Sequence, residues 1–402
     1  MTTWNIHPIQ CDGRERLGRR LVFLVPVLAA VLVAGGGCQP PNGSMHLAAA
    51  ENDSHMLLTL HEKHGLDVNA RDYEGRTPIF WAARNGQLHA MEWLKSYGAD
   101  LSATDHRGQT AMFAAAGHGQ IKAMAWLKRQ GADIDTTTAT GGTPMFEAAY
   151  GGHLEAMKWL KEQGAAFHVT DDGGALMYAA AYSGNVAVMA WLREQGAEVD
   201  VICDNDWTPM RMAAVRGHVA AMTWLVQQGV EVPAVELLNE AFREAASKGD
   251  VAGMAWLKEH GAEVNADWLI RVSDRESMYA QAAIFNAADN GHVEAMQWLI
   301  EQGVEINVQN RYKETPLSCA IREGHVEAAT WLIEQGAEVN TTNNFGQTPM
   351  FAAAARGLVE VMQCLKERGA EVNVKDIAGR TPLSQTRHEA AKTWLLANGG
   401  HT

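Results

Sequence analysis

The sequence predicts an all-α solenoid, a row of short helix–turn–helix units that bury apolar surface against their neighbours. Three observations predict it. A tryptophan stands at Trp93, Trp126, Trp159, Trp191, Trp224, Trp256, Trp298 and Trp331, gives way to Cys364, and returns at Trp394, in steps of 33, 33, 32, 33, 32, 42, 33, 33 and 30 residues. A threonine, usually followed by proline, opens most units, and a glycine recurs after each of the two helices. A period near 33 marks a repeat architecture, so the 402 residues need not divide into two or three globular cores.

Each element of the unit has a local reason. Thr77, Thr110, Thr143, Thr208, Thr315, Thr348 and Thr381 stand where a helix begins, and a threonine hydroxyl there can accept from the free backbone N–H groups. Proline follows most of them, at the first helical position, where its missing N–H costs nothing. The first helix is short and alanine-rich, as at Ala115-Ala116 and Ala148-Ala149, which lets helices approach closely. Glycines such as Gly119, Gly152 and Gly291 end it, with positive φ expected. In the second helix Leu154, Met157 and Leu160 form a buried stripe, with Ala156 and Trp159 as an adjoining seam. Segments such as Ala337-Glu-Val-Asn340 lead into turns with Asp or Asn three residues before Gly, as in Asp72–Gly75, Asp105–Gly108, Asn343–Gly346 and Asp376–Gly379. That spacing is a β-turn signature.

Thr-Pro opening a first helix, Gly-His between helices and Gly-Ala after the second resemble the ankyrin repeat. The resemblance covers about residues 46 to 400. It implies an ankyrin-repeat α-solenoid of about ten to eleven units, with β-hairpin-like fingers at the turns and atypical caps. The unit at about 46–69 lacks a finger and reads as one cap, and the shortened 381–400 reads as the other. The family's Thr-Pro-Leu-His histidine is mostly aromatic here (Phe80, Phe113, Phe146, Tyr178, Phe285, Phe351), so stacked aromatic packing is expected in place of its hydrogen bonds. The recurring Trp is expected to form a thick apolar spine. The unit carrying Trp256 lacks Thr-Pro and enters its helix through Val232-Pro233, and residues 266–282 hold an insert, a longer helix or an extended finger.

The amino terminus carries Arg14, Arg16, Arg19 and Arg20, then fourteen apolar residues from Leu21 to Ala34, shorter than the roughly 20 that span a bilayer. This is the layout of a secretory signal peptide over 1–37. Gly35-Gly36-Gly37-Cys38 resembles the lipobox of bacterial lipoproteins, although Gly35 stands where that family prefers leucine. The resemblance implies lipidation of Cys38, a short tether over 38–45 and a solenoid over 46–402. The alternatives are plain secretion and a cytosolic or host-directed protein starting near Met45. Cys11 and Cys38 belong to these segments; Cys203, Cys319 and Cys364 fall in different repeats and read as free thiols.

The net charge of −14, which becomes −16 without residues 1–37, repels phosphate backbones and argues against nucleic acid as a partner. Most of the sixteen histidines, including His118, His153, His218, His292 and His325, recur one repeat apart. That is too far to share a metal ion, and they read as surface residues. No phosphate loop, dinucleotide fingerprint or nucleophile elbow is present. The reading is therefore a non-catalytic, monomeric scaffold without cofactor or metal, lipid-anchored at a bacterial envelope, facing periplasm or exterior. It would touch the membrane through its anchor alone and bind a neutral or basic protein. The family resemblance implies that fingers and first helices line a concave groove. Arg71, Tyr73, His106, Arg107, Asp172, Asn205, Trp207, Arg311, Tyr312, Lys313, Asn344 and Phe345 are the candidate contacts there.

Overall fold

The computed structural model describes residues 43–167, 173–202, 207–264, 269–270, 278–279 and 283–401. Cys38, Asp172, Asn205 and the signal segment lie outside them. Twenty-two helices form eleven successive pairs among these residues. By its contacts the chain divides into two units, Met1–Met212 and Ala213–Thr402.

The first unit contains the pairs α1 (Gly43–Ala50) with α2 (Ser54–His64), α3 (Pro78–Arg84) with α4 (Leu88–Ser96), α5 (Ala111–Gly117) with α6 (Ile121–Arg129), α7 (Pro144–Tyr150) with α8 (Leu154–Glu162), and α9 (Gly173–Ser183) with α10 (Val186–Glu194). Each first helix packs on the next first helix, and each second on the next second. That is translational stacking. Helix α1 begins inside the segment read as tether, and Met45 is fully buried in it.

Helix α11 (Pro209–Val215) spans the division. The second unit continues with α12 (Val219–Gln227), α13 (Val235–Lys248) with α14 (Val251–Glu259), α15 (Ala283–Asp289) with α16 (Val293–Glu301), α17 (Pro316–Glu323) with α18 (Val326–Glu334), α19 (Pro349–Arg356) with α20 (Val359–Glu367), and α21 (Pro382–Gln385) with α22 (Glu389–Ala397). The stacking repeats. Within the insert, β1 (Leu269–Ile270) pairs antiparallel with β2 (Met278–Tyr279), Leu269 opposite Tyr279, and the rest of the insert lies outside the described residues. Helix α21, four residues long, is the shortened cap.

Most helices have seven to nine residues, too short to persist alone in water. Burial holds them. In the second helices the core residues are Ala90, Met91 and Leu94, then Ala156, Met157 and Leu160, and so on, all at 1% exposure or less. Each such Leu or Met contributes about 1.5–3 kcal/mol. Leu154, expected in this stripe, is half-exposed. The tryptophan ladder is also displaced from the core. Trp126 is buried, but Trp93, Trp159, Trp191, Trp224, Trp256, Trp298, Trp331 and Trp394 are half-exposed. At about 100° per residue the Trp position lies a quarter turn off the axis set by the Ala-Met-Leu triplet. The ladder therefore flanks the core and does not form its spine.

The opening threonines divide in two. Thr143, Thr208, Thr315 and Thr381 accept a backbone N–H three residues on. Thr77, Thr110 and Thr348 make no such bond. Phe80, Phe113, Phe285 and Phe351 are buried, whereas Phe146 and Tyr178 are only half so. The aromatic pairs among the described residues lie elsewhere, so these four phenylalanines contribute through burial and not through ring stacking.

The turn histidines tie repeats together and are not plain surface residues. The Nε2 of His292 donates to the Ser247 carbonyl at 3.0 Å, and that of His325 to the Asp289 carbonyl at 2.9 Å, each one repeat upstream. Each ring packs on the left-handed glycine of the preceding repeat, Gly249 or Gly291. Asn185 does the same work in the first unit, donating to the Gly152 carbonyl at 2.7 Å. A second ladder uses the Asn of the Ala-Glu-Val-Asn segment. Asn340 donates to the Gly369 carbonyl at 3.0 Å and accepts from the Glu371 N–H at 2.9 Å.

Candidate interaction surface

Five fingers share one device. At Asp72, Asp105, Asn310, Asn343 and Asp376 the carboxyl or amide oxygen accepts from the N–H groups two and four residues on, and the backbone closes a turn over it, whereas in the finger at Thr138 the hydroxyl accepts from the Gly142 N–H at 2.8 Å. Asp72 Oδ1 accepts from Glu74 and Arg76, both at 2.9 Å, and Asn310 Oδ1 accepts from Tyr312 at 2.8 Å and Glu314 at 3.0 Å. Asp105, Asn343 and Asp376 repeat the pattern. At Asp376 the Arg380 guanidinium, donating at 2.8 Å, holds the carboxyl down at about 2. Successive tips are then joined, His106 N–H to the Glu74 carbonyl at 2.9 Å, Asn344 to Tyr312 at 2.9 Å and Ile377 to Phe345 at 3.0 Å. The fourth position of the turn needs positive φ. Gly75, Gly108, Gly346 and Gly379 supply it, but Lys313 adopts φ 57° in the Asn310 finger, which has no glycine.

This scaffold gives the predicted residues unequal roles. Tyr73 is 86% exposed, and in the second unit Phe345 is 56% and Tyr312 43% exposed. Ile377, at the same turn position as Tyr73, is 76% exposed. Ile377 is not among the contacts expected from the sequence, although an apolar residue beside an Asp-Gly turn marks it there. Two candidates spend their polar atoms on the scaffold. Arg71 donates to the Gly75 and Thr104 carbonyls at 2.9 and 2.6 Å, and Asn344 Nδ2 donates to the Arg311 carbonyl at 3.0 Å. His106 lies over Gly75. Arg311 places its guanidinium 4.5 Å from the Tyr312 ring centre. Trp207 is half-buried, edge-on to Tyr178 with Arg211 above its ring at 4.5 Å, and so is an anchored residue of the first unit.

The first helices carry the rest of this face. In the first unit Arg84 stacks over Trp81 at 5.0 Å and donates to His118 Nε2 at 2.9 Å, while His118 Nδ1 donates to the Ala114 carbonyl at 3.1 Å. Burial and the Arg84 charge hold the His118 pKa below its ordinary value. Glu147 accepts from Gln109 Nε2 at 2.8 Å. Burial pushes its carboxyl up to about 7 against the opposing pull of Arg107. Beyond it Tyr150 stacks on Tyr182, ring centres 3.9 Å apart. In the second unit Arg322 pairs with Asp289 at 2.9 Å and reaches Glu314 at 3.8 Å. Cys319, buried beneath Arg322, has its thiol pushed up to about 12 by burial. Cys319 and Cys364 are free thiols, as expected. No group of side chains that could hold a metal ion occurs among the described residues, and no helix there is long and apolar enough to cross a membrane.

Fixed turns on stacked helix pairs, with large apolar side chains held out from them, define a repeat-solenoid interaction protein. The family comparison identifies which kind. A family model described as ankyrin repeats, three copies, matches residues 45–138, 97–171, 123–202, 176–267, 242–343 and 284–376. The chain belongs to the ankyrin-repeat family, whose repeats are protein–protein interaction modules. No curated protein matched it.

Proposed function

We propose that this chain is a non-catalytic scaffold that holds a partner protein on its finger and first-helix face, and that lipid on Cys38 anchors it at a bacterial envelope. One observation carries the binding reading. Tyr73, Tyr312, Phe345 and Ile377 hold large apolar surfaces in water on turns fixed by side-chain and finger-to-finger hydrogen bonds. Such rigid, exposed aromatic residues lose little entropy on binding. The anchor reading is supported by the short apolar run before Gly35-Gly36-Gly37-Cys38.

Crosslinked capture from envelope extracts tests the first part. Tyr312→Ala with Phe345→Ala should abolish recovery of the partner, and undiminished recovery would overturn the reading. These two positions suit the test better than Trp207, whose packing against Tyr178 would be lost with its ring. Metabolic labelling with a fatty acid tests the second part. Label in the wild type but not in Cys38→Ala supports the anchor, whereas unlabelled protein in the cytosolic fraction supports a start near Met45.

A further inference from the structure

On the second helices of the first unit a groove of about 520 Å³ runs along α6, bordered by Leu88 of α4 and by Trp159 and Gln163 of α8. These helices are not part of the finger and first-helix face. Ala125 lies in the groove, Lys122, Lys128 and Arg129 line it from the same helix, and no carboxylate does. Lys122, Ala125 and Arg129 are spaced i, i+3 and i+7 and so share one helix face, the two cations about 10 Å apart along the axis.

Both cations reverse the charge that the repeat carries elsewhere. The register of Arg129 holds Glu162, Glu194, Glu259, Glu301, Glu334 and Glu367 in other second helices, and that of Lys122 holds Glu155, Glu294, Glu327 and Glu360. Within α6 there is no acidic residue to offset them. Arg129 Nε donates to the Ala125 carbonyl at 3.3 Å, which folds the guanidinium back along the helix and leaves both Nη atoms without a partner among the described residues. The Lys128 ammonium bridges α6 to α8 by donating to the backbone and side-chain oxygens of Gln163 at 2.9 and 3.0 Å, two neutral acceptors that leave its charge in place. Lys122 makes no hydrogen bond or ion pair among the described residues, and Glu155 of α8 is taken by Lys158 at 2.8 Å.

The half-exposed Trp159 ring is also without a partner. Its counterpart Trp394 donates Nε1 to Gln363, one repeat upstream, at 3.1 Å. Ala125 stands at the Gln363 register, so Trp159 lacks that acceptor, and it makes no ring contact among the described residues. Three like charges on one short surface repel one another, and an anion of charge two relieves that repulsion. Guanidinium and ammonium donors together suit a phosphate, and an indole suits a flat ring beside it. The net charge of −14 does not oppose this at short range, because salt screens charges beyond about 8 Å. A nucleic-acid strand would also lay phosphates over the glutamates of adjoining repeats, which a small ligand avoids.

We propose that this groove binds a small aromatic phosphate of the size of a nucleoside monophosphate, its phosphate held by Arg129 and Lys122 and its ring against Trp159. The volume lies within the range of small-ligand sites. The site is separate from the proposed partner surface and does not depend on it.

Isothermal titration calorimetry of the full chain tests it. The probes are adenosine monophosphate and phenyl phosphate, with adenosine and inorganic phosphate as the two halves of the first. At least one aromatic phosphate should bind saturably, and adenosine and inorganic phosphate each about tenfold or more weaker. Arg129→Glu and Lys122→Glu install the residue that other repeats carry at those registers, and each should weaken binding about tenfold or more, with helicity by circular dichroism unchanged. Ala125→Gln installs the residue seen at Gln297 and Gln363, fills the groove beside Trp159 and should abolish binding. No saturable heat with either aromatic phosphate, inorganic phosphate binding as tightly as both, or folded Arg129→Glu and Lys122→Glu proteins that bind unchanged would each overturn the inference.

Discussion

Glu147 makes the stability of the free protein depend on pH in an unusual direction. Its carboxyl titrates at about 7 in the folded chain against 4.5 without burial. Between these values the folded state binds more protons than the unfolded state, so stability falls as pH rises. Each pH unit in that window is worth about 1.4 kcal/mol, which makes the whole effect about 3 kcal/mol. Glu147→Gln removes the titration while preserving size and the hydrogen bond from Gln109. The variant should match the wild type near pH 4.5 and exceed it by about 3 kcal/mol at pH 8.

Urea unfolding of both proteins at half-unit steps from pH 4.5 to 8 measures this. The difference between the two curves isolates Glu147, because other groups titrate alike in both. That matters for His118 and His153, whose lowered pKa values act the other way and remove stability as pH falls through their unfolded value. Parallel curves would refute the argument. They would mean that water reaches the carboxylate.

Three further outcomes follow from particular residues. Lys313→Gly relieves a left-handed lysine at a position where other fingers carry glycine. It should raise stability by about 0.5–1 kcal/mol after the entropy of a freer unfolded chain is subtracted, read as a higher urea midpoint with unchanged slope. His325→Ala deletes the donor to the Asp289 carbonyl and the ring over Gly291, and should cost about 1–2 kcal/mol in the same assay. Cys319 should resist a thiol reagent at pH 8 until the chain unfolds, since its thiol is fully buried and titrates at about 12. Mass spectrometry of the labelled peptides checks it, and early labelling would show that the second unit opens locally.

What could be read in the sequence and what could not divide along a physical line. Helix starts, the finger turns and the two atypical ends depend on neighbours within a few residues, and the sequence displays them directly, although only Thr143, Thr208, Thr315 and Thr381 of the opening threonines make the capping hydrogen bond. Recurrence was less informative about environment. The tryptophans recur because each unit offers the same flank, and a period of 33 cannot distinguish a flank from a core a quarter turn away. His292 and His325 each donate to a carbonyl a repeat upstream, a contact between residues 45 or 36 apart that no local pattern contains. Variability at the finger tips misled in a complementary way. Arg71 and Asn344 vary as contact residues do, yet their donors brace one finger against another. Glu147 shows the limit most clearly. Its own helix reads as an ordinary first helix, and its environment comes from the repeat before it, through burial, the Gln109 amide and the Arg107 and Asp105 charges. In a stacked chain, residues that repeat report how the stack holds. A residue that breaks the repeat, here a carboxylate at a register where the flanking repeats carry Ala114 and Ala179, reports instead what its neighbours in other repeats make of it.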